Sequence, residues 1–179
     1  GLGDVYKRQE LEASLLVWPQ LINELTKPLE QPKWGPRPHQ QEAITNVIEG
    51  FKEHDRGQLI MACGTGKTLT ALWITEELKP DTTLVLVPSL SLLSQTLSEW
   101  AQHTKTAWTY ICVCSDDTVN KSNDEPISTV NDFPFEVTTD PERIAAFLDT
   151  TGRKVIFSTY QSSAQVASAL AISDGQIKF

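Results

Sequence analysis

The stretch Gln58–Thr68, QLIMACGTGKT, constrains this chain more than any other. Four mostly apolar residues, Leu59 to Ala62, run without pause into two glycines, a lysine and a threonine, and LTALWITEEL follows at once with helical character. A short apolar run of this kind reads as a buried strand. The expectation is therefore a strand, a glycine turn and a helix in immediate succession. Gly64 and Gly66 permit a turn whose backbone N–H groups converge on an anion that side chains would obstruct, and the helix N-terminus adds about half a positive charge. Cys63 and Thr65 complete that turn. Lys67 supplies a mobile cation for the β- and γ-phosphates of a nucleotide, and the Thr68 hydroxyl is the hard oxygen that Mg²⁺ prefers. The ligand this implies is ATP with Mg²⁺, and Lys67 is the candidate catalytic group. The competing explanation is a chance glycine turn beside a surface lysine.

The rest of the chain supplies the context. TTLVLVP, WTYICVC and KVIFST are apolar runs of strand length, and LTALWITEEL, SLLSQTLSEWAQH, the segment opened by Asp140-Pro141, and SAQVASALAI carry helical spacing between or after them. Apolar strands alternating with amphipathic helices imply an α/β fold with a parallel sheet covered by helices on both faces. Upstream, a helix beginning near His39 presents Ala43, Ile44, Val47, Ile48 and Phe51 as its buried stripe, and QPKWGPRP before it is a connector. Residues 10–33 read as a helical lead-in kinked at Pro19. The first nine residues, GLGDVYKRQ, share no periodicity with the residues after them and resemble translated sequencing-adapter scars.

Composition narrows the class. With 40% hydrophobic and 21% charged residues, the chain is an ordinary globular one. No apolar run approaches the ~18 residues of a membrane span, so no membrane is expected and a cytoplasmic location follows by default. Three cysteines, Cys63, Cys112 and Cys114, offer no metal-ligand spacing; Cys112 and Cys114 alternate along a strand and point to one face as buried filler. The formal charge of −8 argues against a simple nucleic-acid-binding domain. Much of the acid sits in a loop at about 115–139 and just beyond it, where Asp116, Asp117, Asp124, Glu125, Asp132, Glu136, Asp140 and Glu142 meet the single base Lys121. The remaining surface is nearer neutral.

MACGTGKT departs from the usual phosphate-loop pattern GxxxxGK[ST], because Met61 stands at its first glycine. In that form it resembles motif I of superfamily 2 helicases and translocases, where this glycine is routinely absent. Three other segments match in order. RPHQQEAI is similar to the upstream glutamine motif, which implies Gln40, with Arg37, on the adenine edge; a glutamine amide pairs with adenine but mismatches guanine. VPSLSLLSQTLSEW resembles motif Ia and VIFSTYQS resembles motif Ib, implying contacts to a DNA strand's backbone from Ser89, Ser91, Gln95, Thr159 and Tyr160. Each position also has a plainer explanation: a solvated helix residue for Gln40, helix capping for Ser89, turn packing for Thr159. The resemblance spans about Trp34 to Ala171. It is closest to the motors of type I and single-polypeptide restriction enzymes, since Leu90 stands where RNA helicases carry an arginine in motif Ia.

The resemblance implies the first RecA-like lobe of a P-loop NTPase, working as a DNA-dependent ATPase motor with a second lobe and further domains. Hydrolysis also needs a carboxylate for Mg²⁺, a residue orienting water and an arginine. The family places its DEAH-type carboxylates after motif Ib, and DGQIKF resembles the approach to that strand; Asp116 and Asp117 are the weaker alternative. The chain is thus expected to be an incomplete lobe, 34–179, inactive alone. Another P-loop NTPase or kinase, and a non-catalytic nucleotide-sensing module, stay open as alternatives.

Mg-ATP at about 100 times its dissociation constant should add about 2.7 kcal/mol of stability, a rise in melting temperature of roughly 5 to 10 °C. Lys67→Ala should abolish most of it. An unshifted melt of the folded, unsubstituted chain at saturating nucleotide would overturn the phosphate-loop assignment.

Overall fold

The computed structural model describes residues 34–115 and 137–173. The nine-residue scar, the lead-in 10–33, Asp116, Asp117, nearly all of the acidic loop and the final DGQIKF fall outside them. Helix α1 is Pro38–Gly50, α2 is Lys67–Leu78, strand β1 is Thr82–Val87 and α3 is Leu90–His103. Strand β2 is Thr109–Val113, β3 is Val137–Thr138, α4 is Pro141–Leu148, β4 is Lys154–Thr159 and α5 is Ser163–Ile172, the last preceded by a single 3₁₀ turn at Tyr160–Ser162.

Local chemistry accounts for most of these boundaries. Pro38 opens α1 and Pro141 opens α4, both at a helix start where a missing N–H costs nothing. Ser89 caps α3 by accepting from the Leu92 N–H at 3.3 Å, and Asp140 caps α4 by accepting from Glu142 N–H at 3.0 Å. Lys79, at φ +54°, ends α2 in the left-handed region ahead of Pro80.

The four described strands form one parallel sheet in the order β1-β4-β2-β3. Strand β4 lies at its centre, with all six residues buried. Alternation then divides the core into two layers. Val155 and Phe157 of β4, with Cys112 and the adjoining Cys114, pack against α2, α3 and Ile44 of α1 on one face. Ile156 and Val113 pack against Ile144, Ala145 and Leu148 of α4 and Val166 and Ala169 of α5 on the other. Helices therefore cover both faces, as the sequence led us to expect. Cys112 and Cys114 share a face as buried filler, and burial, with Cys114 adding to it, pushes the Cys112 thiol up to about 12. Aromatic edges brace the first layer: Phe157 meets Trp100 at 5.6 Å and Tyr110 at 6.5 Å between ring centroids.

Two expectations need correction. Gln58–Ala62 lies in no strand; Ile60 is 83% exposed and Leu59 40%. Strand propensity is realised only through ladder bonds and packing, and among the described residues none pairs with this segment. Phe51, assigned to the buried stripe of α1, lies beyond the last turn of the helix and is 41% exposed. Gln40 takes the buried place one turn before Ile44 instead.

Phe157→Ala should cost about 3–5 kcal/mol, because a fully buried ring leaves a cavity between three other aromatic side chains. Ile60→Ala should cost no more than about 0.5 kcal/mol. Urea unfolding of the two variants checks both values. A loss of several kcal/mol at Ile60 would mean that Gln58–Ala62 is a buried strand after all.

Candidate functional site

Three elements converge on the turn Cys63–Gly66. Gly64 and Gly66 hold φ +75° and +79°, conformations that side-chain-bearing residues rarely adopt. Gly66 is also the N-cap of α2, so the turn delivers the chain directly into the helix start, where the first N–H groups have no intrahelical acceptor. A Cβ at Gly64 would meet nothing within 4 Å, whereas one at Gly66 would lie 2.5 Å from Gln40 Nε2. Conformation requires the first glycine. Conformation and close approach both require the second.

The ammonium of Lys67 donates back across the turn to the carbonyls of Ala62 at 2.9 Å and Met61 at 3.2 Å, and the Thr65 hydroxyl donates to Ala62 at 2.7 Å. Lys67 is exposed, and two neutral carbonyls are weaker partners for it than a phosphate oxygen. Thr68 follows on the first turn of α2. Its carbonyl accepts from Trp100 Nε1 at 2.9 Å, which ties α2 to α3, and among the described residues its hydroxyl has no hydrogen-bond partner. Cys63 is exposed at the turn itself.

Beside the turn lies a cavity of about 460 Å³, lined among others by Trp34, Arg37, Gln40, Gly64, Gly66 and Trp73. That size is ordinary for a small-molecule pocket. Arg37 is exposed at its rim, while Gln40 is 4% exposed and reaches the turn itself. The two tryptophans were missed in reading the sequence. Trp73 falls on the helical stripe of α2 and Trp34 in a proline-rich connector, so each carried only the signal of an apolar filler. Trp34 lies 5.0 Å from the His103 ring, and the buried indole N–H of Trp73 has no partner among the described residues.

Of the residues assigned to a nucleic-acid strand, Ser89, Thr159 and Tyr160 lie at one sheet edge. Val87 pairs with Thr159, so β1 and β4 end level, and Ser89 and Tyr160 leave the same carboxyl edge. Ser91 and Tyr160 are exposed there. Gln95 donates its amide to Glu99 at 2.8 Å, on the outer side of α3. Thr159 differs: it is fully buried and its hydroxyl bonds Ser162 Oγ at 3.2 Å, so its side chain fixes the turn rather than facing outward.

Residues 33–176 match the family model described as "Type III restriction enzyme, res subunit". The chain is 34% identical over 127 residues to "Probable helicase A859L" of African swine fever virus (isolate Tick/South Africa/Pretoriuskop Pr4/1996), a match covering 71% of this chain and 14% of the relative. It thus spans about one seventh of the length of that relative. Two solved structures are similar. One is a nuclease-deletion mutant of the type ISP restriction-modification enzyme LlaGI with a DNA substrate mimic, with TM-score 0.64 and 36% identity over 80% of this chain and 14% of that one. The other is the ATP-dependent type ISP restriction-modification enzyme LlaBIII bound to DNA, with TM-score 0.69 and 34% identity over 81% of this chain and 10% of that one.

Gly64→Ala and Gly66→Ala should separate the two demands on the turn. Gly64→Ala meets only the left-handed backbone penalty, about 1–2 kcal/mol. Gly66→Ala adds the collision with Gln40 and should lower the melting temperature further. Equal melts would show that the close approach of Gln40 is immaterial.

Proposed function

The chain belongs to the type III restriction enzyme res-subunit family, and from that membership we propose that it is the nucleotide-gripping lobe of a DNA-dependent ATPase motor, a helicase or double-stranded DNA translocase of a restriction-modification system. Its parallel sheet with helices on both faces is a RecA-like lobe of the superfamily 2 kind, as in the similar type ISP enzymes. One observation carries the reading: a double-glycine turn opens α2 beside a 460 Å³ cavity, with Lys67 held by two carbonyls.

The residues fit ATP. The turn and the start of α2 present N–H groups to the phosphates, and Lys67 exchanges its carbonyl partners for phosphate oxygens of greater charge. Thr68 is placed to hold Mg²⁺, which when bound would neutralise phosphate charge. Trp34 and Trp73 offer the base aromatic surface, with Arg37 and Gln40 as the polar groups that orient it. DNA backbone would lie along the carboxyl edge, on Ser89, Ser91, Gln95 and Tyr160, with Thr159 holding the turn beneath them. A second lobe and a cytoplasmic setting complete this proposal.

Binding and hydrolysis separate physically. Binding draws on the turn, Lys67 and Thr68; hydrolysis also needs groups aimed at charge that develops only in the transition state. Among the described residues, the cavity lining contains no carboxylate. An arginine finger is worth about 10³–10⁵ in rate in related enzymes, and closure of two lobes is what brings such groups together.

This chain alone should therefore bind ATP without turning it over, and neither single- nor double-stranded DNA should rescue turnover. The check is phosphate release by the purified chain, with and without DNA, beside Lys67→Ala. Turnover that the lysine variant loses would mean that the chain holds its own metal-binding carboxylate, with Asp116 the first candidate.

A further inference from the structure

Gln40 has its whole amide engaged within the chain. Its Oε1 accepts from the backbone N–H of Arg37 at 2.9 Å, and its Nε2 donates to the carbonyls of Thr65 at 3.0 Å and Gly66 at 3.3 Å. A glutamine that reads adenine uses one N–H and its carbonyl oxygen for the base. Here Nε2 is directed at the turn instead. The peptide unit is planar and trans, so its carbonyl and its N–H point in opposite directions. Holding the Thr65 and Gly66 carbonyls on the Gln40 side therefore aims the N–H groups of Gly66 and Lys67 the other way. The Gly66 carbonyl is held further by the N–H and hydroxyl of Thr70, both at 3.0 Å.

We infer that Gln40 is a positioning residue for the phosphate-binding turn: it braces the Thr65 and Gly66 carbonyls so that the turn's N–H groups are set for an anion before any base is present. This rests on the reading of Cys63–Thr68 as a phosphate loop, and it gives the glutamine a function that does not depend on adenine. It also gives the absent Cβ of Gly66 a purpose, since that space is where the amide approaches. Base reading would then have to draw the amide away from the turn, so one side chain links recognition of the base to the shape of the phosphate site.

The test uses a ligand without a base. Mg-tripolyphosphate, Mg-ATP and Mg-GTP are titrated calorimetrically into the full 179-residue chain and into Gln40→Met, which keeps the volume and removes every hydrogen bond. Each titration is run below the melting onset of the variant concerned. The expected result is a loss of about tenfold in tripolyphosphate affinity, from two bonds of ordinary strength. Unchanged tripolyphosphate affinity with weakened ATP would make Gln40 a base ligand only and overturn the inference.

A second comparison avoids the buried side chain. Arg37 sits at φ −72°, which proline also adopts, and Arg37→Pro removes the N–H that orients the amide while Arg37→Ala keeps it. Tripolyphosphate should bind Arg37→Pro about threefold more weakly than Arg37→Ala, and equal affinities would overturn the inference. If the unsubstituted chain binds none of the three ligands, or binds them equally well as Lys67→Ala, the phosphate-loop reading fails and this inference falls with it.

Discussion

A tight turn that leads straight into a helix leaves carbonyls that need partners, and the architecture around Cys63–Gly66 supplies them. Ala62 O is met by Thr65 and Lys67, Thr65 O and Gly66 O by Gln40, and Thr68 O by Trp100. The partners come from Thr65 in the turn itself and from the neighbouring helices. The turn's carbonyls are thus held from α1 and α2, and Trp100 ties the first turn of α2 to α3. Bracing of this kind is what lets a site spend little reorganisation when a ligand arrives.

The helices can do this because they are fixed to one sheet face. Leu72 and Trp73 of α2, Leu93, Leu97 and Trp100 of α3, and Ile44 of α1 belong to one buried cluster with Phe157. Trp100 has a double part: its ring packs edge-on to Phe157 while its N–H reaches the first turn of α2. Packing and polar placement coincide in one side chain, so the start of α2, and the glycine turn before it, is tied to the central strand β4. The same strand sets the other candidate surface, since its register with β1 brings Ser89 and Tyr160 to a common edge. The nucleotide and strand candidates are therefore both referenced to β4.

The chain covers only a small share of the similar proteins, 10–14% of each solved chain. That share includes the double-glycine turn, Lys67 and the cavity beside them. The exposed segment Gln58–Ala62, apolar and without a strand partner among the described residues, is the part of this lobe whose local sequence and surroundings disagree most.

Much of the architecture was legible in the residues. Apolar runs such as KVIFST and helical stripes such as that of SLLSQTLSEWAQH fix element type locally, and their alternation requires a parallel sheet covered on both faces. GTGKT is legible for the same reason: glycine's freedom and a helix start are local properties, independent of what lies nearby. What the sequence by itself determined was thus the kind of fold and the place of the glycine turn that opens α2. Only the tertiary structure decided partners. It left Gln58–Ala62 without a ladder among the described residues, buried the Thr159 hydroxyl against Ser162, brought Trp34 and Trp73 to one cavity and turned the amide of Gln40 onto the glycine turn. The physical reason is that strand pairing, burial and hydrogen-bond choice are settled between segments distant in the chain, Gln40 and Thr65 being 25 residues apart. Local propensity carries no information about which distant group will arrive.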